Sequence, residues 1–527
     1  MSLGRRRRPG LPAGRGRLGR PRFQPSRRTA LAAVSAVLFI TFLDNTIVSV
    51  ALADIQTALG VGVAGLQWIV DGYMLAFAAL MLTGGTLGDL LGRKKVMLAG
   101  VGVFCAGSVV AALAQSGGML IGARVAMGVG AAASEPGTLS LIRQIYPERE
   151  ARARALGVWA AVSGLALALG PVVGGLLIAA FGWRSVFWFG VVLGLAALAV
   201  AAKTVPESRD PEGRRLDLPG LLAGAAAVTA ATFAVISGES AGYGTWWIVL
   251  LFAAALVAAL AFVAIERRAV DPVLELGLLR HPTFSAANVV AFGTSVSVFS
   301  VFFFTALYLQ LISSFSGWQI ALTFVSLAVA MVVAGPLAGR WTARRGPRGP
   351  MTVGCLLAGS GLLLLDHELE PGVSIGTLAW VLAIAGLGFG AAVVASNAAV
   401  LTVVPGRRSG MAASTVNTAR ELGGVFGVAV LGAIVDAQLT TGLSDKLRAL
   451  GIPPNFRSIV IDAVTHGGGI SASQAAQNPA AQGHLSLVLK VLGAAEDAAG
   501  RGVHNALLVA AAIVFASAAV ALVAVRR

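Results

Sequence analysis

The chain has 527 residues, of which 57% are hydrophobic and 12% are charged. Soluble domains carry about 25% charged residues, so this composition and a mean hydropathy of +0.82 exclude a soluble globular enzyme, a disordered protein and a collagen-like fibre. The net charge of +16 suggests nucleic acid only until its distribution along the chain is considered. The composition indicates an integral membrane protein.

Fourteen stretches of the sequence are apolar and long enough to cross a membrane. A helix needs about 20 apolar residues to cross a hydrocarbon core of roughly 30 Å. The stretches lie near residues 30–53, 68–88, 96–115, 119–142, 155–180, 184–202, 217–237, 245–265, 284–312, 318–339, 351–365, 375–404, 412–435 and 503–525. Helices are expected because unpaired backbone groups are costly in lipid, and the alternation of a barrel strand is missing. The sequence therefore predicts an all-α integral membrane protein with 14 transmembrane helices.

Basic residues are concentrated in every second connection between these spans. If the N-terminus is cytoplasmic, 32 of the 40 lysines and arginines lie in the inner segments 1–29, 89–95, 143–154, 203–215, 266–280, 340–350, 405–411 and 526–527. Cytoplasmic loops of membrane proteins carry this excess of positive charge. The pattern predicts an even number of spans, with both termini in the cytoplasm.

The basic N-terminal tail, 1–29, allows two interpretations. One is a nucleic-acid-binding arm, and the other is a topology-setting tail beside anionic lipid. The second is favoured, since the positive charge is distributed over all the inner segments, and no nucleic-acid partner is expected. Arginine far outnumbers lysine, and Gly and Ala are abundant, which indicates a GC-rich and therefore bacterial genome.

A short motif recurs in the two halves of the sequence. Gly85 and Asp89 end the second span ahead of a basic turn, and Gly335 and Gly339 end the tenth span in the same way. Spans 1–6 then correspond to spans 9–14, and spans 7 and 8 are an inserted pair. The predicted regions are a tail (1–29), a six-helix bundle (30–202), a linker with two extra helices (203–267), five helices of a second bundle (268–435), an extracytoplasmic loop (436–502) and the last helix (503–527).

The turn after the second span carries a recognisable pattern of small, acidic and basic residues. The pattern is Gly85-x-Leu87-x-Asp89-x-x-Gly92-Arg93-Lys94. It resembles the loop between the second and third helices of the major facilitator superfamily. The resemblance implies a conformational gate in which glycines let two helices approach closely, and a carboxylate contacts nearby arginines and the positive end of a neighbouring helix. An ordinary positive-inside turn is the alternative.

The fifth span contains a second motif, Gly170-Pro171-Val172-Val173-Gly174-Gly175. It resembles the Gly-Pro-x-x-Gly-Gly signature of the superfamily's antiporters, and is less typical of its symporters. Pro171 removes a helix hydrogen bond and is expected to kink the span, while Gly170, Gly174 and Gly175 permit close helix contacts. Plain small-residue packing is the alternative.

Three ionisable residues inside the spans are predicted to handle protons, because intramembrane charges are costly and mark functional sites. Asp44, in the first span, lies in a motif that resembles one in the 14-helix drug:proton antiporters. Arg124, in the fourth span, resembles the family's arginine associated with proton transfer, and both residues are predicted at similar depth. Glu135 lies deeper on the fourth span. A structural ion pair is the alternative for Asp44 and Arg124, and pairing with Arg143 is the alternative for Glu135.

Six further residues are assigned to a substrate cavity. They are Asp71, Phe299, Phe303, Tyr308, Asn397 and Arg420. Aromatic side chains of the ninth span offer a wall for an apolar substrate, although consecutive ones cannot all face one cavity. Interfacial exposure is the alternative for Asp71. Neutralisation by the adjacent Glu421 is the alternative for Arg420.

The resemblance covers roughly residues 30–435 and 503–525, and it implies a 14-helix proton-coupled antiporter with two six-helix bundles and two inserted helices. The expected function is export of drugs, antibiotics or other amphipathic small molecules across the plasma membrane by alternating access, by a chain acting as a monomer. No phosphate-binding loop or hydrolase motif occurs, so a secondary transporter without cofactor or metal, and not an enzyme, is expected. An ion-coupled importer and a non-transporting membrane sensor or scaffold are the alternatives.

Overall fold

The computed structural model describes residues 26–61, 63–208, 217–313, 315, 317–370, 372–405, 408–449, 457 and 485–525. Its regular elements there are all helical. The helices are α1 (Arg27–Ile47), α2 (Leu52–Leu59), α3 (Val63–Leu91), α4 (Arg93–Ala112), α5 (Gly117–Ile145), α6 (Arg149–Phe181), α7 (Arg184–Thr204), α8 (Leu218–Ala241), α9 (Trp246–Glu266), α10 (Pro282–Ser300), α11 (Ala306–Leu311), α12 (Gly317–Arg345), α13 (Arg348–Glu368), α14 (Ile375–Val403), α15 (Ser409–Ala449) and α16 (Leu485–Ala524).

The number of membrane-crossing helices agrees with the sequence. In the described part of the chain, thirteen helices are long and apolar enough to cross a bilayer, and α6 makes fourteen if its two bent parts count as one span. The parts Glu150–Leu167 and Val172–Phe181 are bent by 44° around the proline at position 171, as the missing N–H of a proline predicts. The ninth span is also irregular, because a π-helical turn, Val301–Thr305, joins α10 to α11.

The helices form two six-helix bundles and an inserted pair. The first bundle consists of α1 and α3–α7, and the second consists of α10–α16, with α10 and α11 forming one span. The inserted helices α8 and α9 pack on each other, and α8 also contacts α3 and α15. The bundles meet chiefly along two pairs of helices, α3 with α15 and α6 with α12, and α5 also contacts α15 while α6 also contacts α14. The fold is therefore an all-α membrane architecture, and the inserted pair α8 and α9 covers the α3/α15 junction between the two bundles.

The segment between the last two spans is partly helical, whereas the sequence predicted a loop over 436–502. Helix α15 continues past the predicted span to Ala449, and α16 begins at Leu485. The two extensions pack together through Leu443 and Leu447 against Ala494 and Ala495. These apolar residues recur at helical spacing, so the extensions bury one face against each other outside the membrane. Residues 450–456 and 458–484 lie outside the described residues.

Candidate functional site

The first and fourth spans are joined by a buried ion pair. Arg124 Nη1 of α5 donates to Asp44 Oδ2 of α1, and both side chains are almost completely buried. This contact requires the two residues to lie at the same depth, which is the depth relation that the sequence predicted. Removing one partner of a buried pair typically costs about 3–5 kcal/mol, because the other charge is left uncompensated. The pair therefore connects α1 firmly to α5 in this conformation.

Helix α3 fixes the guanidinium of Arg124 from a third side. Arg124 Nε donates to the Ile69 carbonyl oxygen at 2.9 Å. Its guanidinium carbon lies 4.5 Å from the centroid of the Tyr73 ring, within the range of a cation–π contact. The Tyr73 hydroxyl donates to the Thr41 carbonyl oxygen of α1 at 3.1 Å. Tyr73 thus positions the arginine and ties α3 to α1 one helical turn before Asp44.

Glu135 lies in a different environment, at the junction of the two bundles. Its side chain is fully buried, and neither carboxylate oxygen has a hydrogen-bond partner within the described residues. Its strongest electrostatic neighbours are Glu421 and Arg420 of α15. The sequence alternative of pairing with Arg143 is not what the structure shows, since buried Arg143 Nη1 also has no hydrogen-bond partner there.

Arg420 is held by two asparagines of its own bundle and by an aromatic ring of the other bundle. Its Nη1 and Nη2 donate to Asn417 Oδ1 and Asn397 Oδ1 at 2.9 and 2.8 Å. Its guanidinium carbon lies 5.5 Å from the ring centroid of Trp159 in α6. Trp159 in turn donates to Thr138 Oγ1 at 3.0 Å, one turn along α5 from Glu135. We call the set Glu135, Thr138, Trp159, Asn397, Asn417, Arg420 and Glu421 the central polar cluster.

Tyr73 is a fully buried aromatic residue that links the Asp44–Arg124 pair to α3. It does so through its ring contact with Arg124 and its hydrogen bond to the Thr41 carbonyl oxygen. No ordinary sequence motif marks this role, because a tyrosine near the start of a span usually lies at the membrane interface.

The predicted cavity residues do not all lie together. Asn397 and Arg420 share a hydrogen bond inside the cluster, and the Phe299 ring packs on Gly424, one turn along α15 from Arg420. Asp71 is partly buried near the start of α3. Tyr308 packs beside Gly500 of α16, and Phe303 is 46% exposed and contacts Phe304. The structure thus groups Phe299, Asn397 and Arg420, while the neighbours found for Phe303 and Tyr308 are Phe304 and Gly500.

The motif after the second span joins the two bundles at one end of the molecule. Asp89 Oδ1 accepts from the Gly410 N–H at 3.1 Å, and Oδ2 accepts from the Met411 N–H at 3.0 Å. These amides are the unpaired donors of the first turn of α15, where the helix dipole favours a negative charge. Arg93 Nε donates to the same carboxylate at 2.8 Å. This is the arrangement that the resemblance implied for the gate.

Close approach of helix backbones completes this contact, which we call the α3/α15 seam. A Cβ atom on Gly85 would lie 2.5 Å from Ser414 Cβ and 2.7 Å from the Gly410 carbonyl oxygen. Only glycine leaves room for that approach. The seam lies at the end of the bundle that carries Arg93, Lys94 and Arg154, which we call the basic end.

The turn of the gate motif is also held from outside the motif. Gly92 has φ +117°, a left-handed value that favours glycine. Arg93 Nη1 donates to Ser208 Oγ at 2.7 Å, and the Lys94 N–H donates to Glu207 Oε1 at 3.1 Å. The segment that follows α7, with Glu207 and Ser208, therefore holds the gate motif in place, and we call this segment the strap. Sequence reasoning missed this strap, because Glu207 and Ser208 lie more than 100 residues from the motif.

A second seam at the basic end joins α6 to α12. A Cβ atom on Gly335 would lie 2.3 Å from the Gly157 carbonyl oxygen, and one on Gly339 would lie 2.3 Å from the Ala153 carbonyl oxygen. We call this contact the α6/α12 seam. Gly335 and Gly339 belong to the second copy of the repeated motif, so each copy contacts the opposite bundle.

The Gly-Pro signature of α6 packs on α1 close to Asp44. A Cβ atom on Gly170 would overlap Thr46 Oγ1, and one on Gly174 would lie 3.0 Å from the Ile47 carbonyl oxygen. Thr46 Oγ1 donates to the Leu167 carbonyl oxygen at 3.0 Å, just before the bend. Gly175 has open space at its Cβ position. The bend of α6 is thus in direct contact with the helix that carries Asp44.

The sequence is similar to those of bacterial drug-resistance proteins. The Major Facilitator Superfamily profile matches residues 34–428. The multidrug resistance protein Stp of Mycobacterium tuberculosis is 35% identical over 84% of this chain and 83% of its own. The multidrug efflux pump LfrA of Mycolicibacterium smegmatis is 32% identical over 94% of this chain and 96% of its own.

The fold is similar to that of a solved transporter with a much more distant sequence. The crystal structure of the human organic anion transporter MFSD10 (TETRAN) matches with a TM-score of 0.58, at 16% identity. The match covers 78% of this chain and 94% of that one. At that identity the likeness concerns the fold alone.

Proposed function

Because the chain belongs to the major facilitator superfamily, we propose that it exports amphipathic small molecules in exchange for protons, and that Asp44, Arg124 and Glu135 carry the coupling. The observation that supports the proposal most strongly is the buried Asp44–Arg124 pair. The pair lies between three helices of one bundle, and the bend of α6 packs on the same helix as Asp44. A change in the bend can therefore separate the two charges.

The proton step follows from the geometry of that pair. While Arg124 contacts Asp44, the ionised carboxylate is neutralised and needs no proton. When α1 moves away from α5, Asp44 is left buried without its counter-charge, and taking up a proton removes that cost. Return of Arg124 expels the proton. Tyr73 and the Ile69 carbonyl oxygen keep the guanidinium in place during this exchange.

Glu135 supplies the second carboxylate, on the route between the bundles. Its carboxylate accepts no hydrogen bond from the described residues, and it lies beside Arg420 and Glu421 of the opposite bundle. A buried carboxylate in that position has a strong need for either a proton or a cation. We assign it to proton or cationic-substrate binding, with Phe299, Asn397 and Arg420 as neighbouring wall residues. Asp71, Phe303 and Tyr308 remain proposed for the outer part of the cavity.

The two seams are assigned to the conformational change. Both are closed at the basic end, and the distribution of positive charge supports assigning that end, with both termini, to the cytoplasm. The conformation described here is then closed to the cytoplasm. Opening requires Asp89 to leave the first turn of α15 and the α6/α12 backbones to part. The working unit is proposed to be a monomer.

The names of the similar proteins support the proposed substrate class. Stp and LfrA are described as a multidrug resistance protein and a multidrug efflux pump. Two buried carboxylates, Glu135 and Glu421, and aromatic neighbours fit an amphipathic cation.

The test is efflux of ethidium from a bacterium that lacks its own pumps. We expect the wild-type chain to export the dye, and a protonophore to stop export. Asp44→Asn removes the charge with little change in shape, and the rate should fall by at least about tenfold because the interaction with Arg124 is weakened. The matched control is Asp54→Asn, an exposed carboxylate on α2 that should leave the rate unchanged.

Membrane expression of each variant is quantified beside the efflux rate. Export by Asp44→Asn at the wild-type rate would remove Asp44 from the coupling. Ethidium export that persists under the protonophore would contradict proton exchange altogether.

A further inference from the structure

A membrane-facing groove lies on the first bundle, away from the central polar cluster. Its floor is α1 and its walls are α6 and α7, and it has a volume of about 700 Å³. The lining is almost entirely apolar and rich in small side chains, including Ala32, Ala36 and Ala196. The groove exists because α1 packs against both walls, while its small residues leave the space between them unfilled.

The groove has the length of one lipid leaflet. Along its floor it runs from Arg28 to Ile40, a separation of twelve residues or about 18 Å of helix. Half of a bilayer's hydrocarbon core is roughly 15 Å. One acyl chain therefore fits along α1 from the headgroup level to the middle of the membrane.

Three basic side chains surround the mouth of the groove, one from each helix. Arg28 of α1 lines it directly. Arg154 precedes the lining residue Val158 by one turn of α6, and Lys203 follows Val200 by one turn of α7, so both lie over the groove end. All three are exposed. Within the described residues Arg28 and Lys203 make no ion pair, and Arg154 has only a loose one, 4.0 Å from Glu150.

One polar atom inside the groove has no partner. Ser35 lines the groove, and only 6% of its surface is exposed. Its hydroxyl makes no hydrogen bond with the described residues. A helix serine usually bonds to a carbonyl of the preceding turn. This hydroxyl is therefore left for a polar atom of the molecule that occupies the groove.

From this combination of length, charge and an unsatisfied hydroxyl, we propose that the α1/α6/α7 groove is a specific site for one anionic phospholipid. The phosphate is held by Arg28, Arg154 and Lys203, and one acyl chain lies along Ala32 and Ala36. This site is independent of the transport proposal, because it can be detected without any flux.

The experiment is native mass spectrometry of the full chain in detergent, titrated with dioleoyl phosphatidylglycerol or dioleoyl phosphatidylcholine. The wild type should bind one phosphatidylglycerol at least about tenfold more tightly than phosphatidylcholine, since each basic residue at the surface contributes about fivefold. The triple change Arg28→Gln, Arg154→Gln and Lys203→Gln should abolish that preference. The matched control Arg267→Gln, Arg268→Gln and Arg280→Gln loses the same charge away from the groove, and should keep it.

A second variant tests the acyl-chain position without changing charge. Ala36→Phe fills the groove and should reduce binding of both lipids, whereas Ala254→Phe on the exposed face of α9 should not. Equal loss of preference in both triple variants would overturn the proposal, because net charge alone would then explain binding. So would unchanged lipid binding by Ala36→Phe. If that variant kept its lipid but slowed ethidium transport, the groove would belong to the substrate and the proposal would fail.

Discussion

The α3/α15 and α6/α12 seams occupy equivalent places in the two halves but are built differently. In the α3/α15 seam the Asp89 carboxylate accepts from two backbone amides, and Arg93 holds it from behind. In the α6/α12 seam the second copy of the motif has Gly339 at the position of Asp89, and backbone lies directly on backbone. One seam is held by charge and shape together, and the other by shape alone.

This difference suggests separate roles for the two copies of the repeated motif. Backbone contact between glycines is short-ranged and is either made or lost, so the α6/α12 seam can serve as a pivot or a stop. A carboxylate at a helix N-terminus acts over a longer distance and depends on the charges around it. The α3/α15 seam is therefore the side on which the strength of closure can be adjusted.

The largest effect is expected from filling the α6/α12 seam. Gly157→Val places a side chain where a Cβ already lies 2.5 Å from the Gly335 carbonyl oxygen, so closure should become unfavourable. Overpacking costs about 1–3 kcal/mol, up to roughly a hundredfold in the closed population. The reporter is Ser414→Cys in a chain whose Cys105 and Cys355 are replaced by alanine, labelled with a maleimide in detergent.

Labelling at position 414 reports on the opposite seam, so the measurement also tests whether the seams open together. Gly102→Val, at a glycine with open space around it, is the matched control. Rapid labelling in Gly157→Val alone indicates coupled seams. Labelling at the wild-type rate in both variants would contradict the prediction that filling the α6/α12 seam opens the α3/α15 seam.

A smaller effect is expected from removing the charge in the α3/α15 seam. Asp89→Asn keeps the shape but weakens hydrogen bonds to the Gly410 and Met411 amides, each worth about 1.5–3 kcal/mol with a charged acceptor. The asparagine side-chain oxygen keeps part of the strength of these hydrogen bonds. Labelling at position 414 should therefore be about tenfold faster than in the parent. Glu150→Gln removes an exposed carboxylate at the same end and should change the rate less than twofold. An Asp89→Asn rate equal to that of Glu150→Gln would contradict the assigned role.

The smallest effect is expected from the strap. Ser208→Ala removes the hydroxyl that accepts from Arg93 at 2.7 Å, while Asp89 keeps its contacts with α15. Only part of the free energy of that bond acts on the seam, because Arg93 also keeps its bond to Asp89, so labelling should rise by no more than roughly fivefold. In a chain that already carries Asp89→Asn, Ser208→Ala should raise the labelling rate by a smaller factor than it does alone. The reason is that Arg93 then has no carboxylate to position. Full additivity would show that the strap acts separately from the gate.

The helices and their number were predictable, because lipid demands long apolar stretches and the positive charges mark one side. The similar depth of Asp44 and Arg124 also followed from counting residues along two spans. The helical extensions of α15 and α16 were not predicted, since a helix outside the membrane is not required to be continuously apolar.

The contacts that hold the site together depend on helix packing rather than on local sequence. Tyr73 and Trp159 gave no signal, although their rings lie 4.5 and 5.5 Å from the guanidinium carbons of Arg124 and Arg420. Asn417 accepts from Arg420 from the preceding turn of the same helix. That spacing alone predicts no site, because the second acceptor, Asn397, is on another helix. Long-range positioning of this kind is set by the tertiary fold.

Exchange of a proton for a substrate is tested most directly by proton release on substrate binding. Purified protein in weakly buffered detergent solution is mixed with tetraphenylphosphonium, and a pH-sensitive dye reports the protons set free. Wild-type protein should release protons in proportion to the cation bound, and Asp44→Asn should release measurably fewer. Saturable binding of the cation to the wild type with no proton release would contradict proton-coupled export.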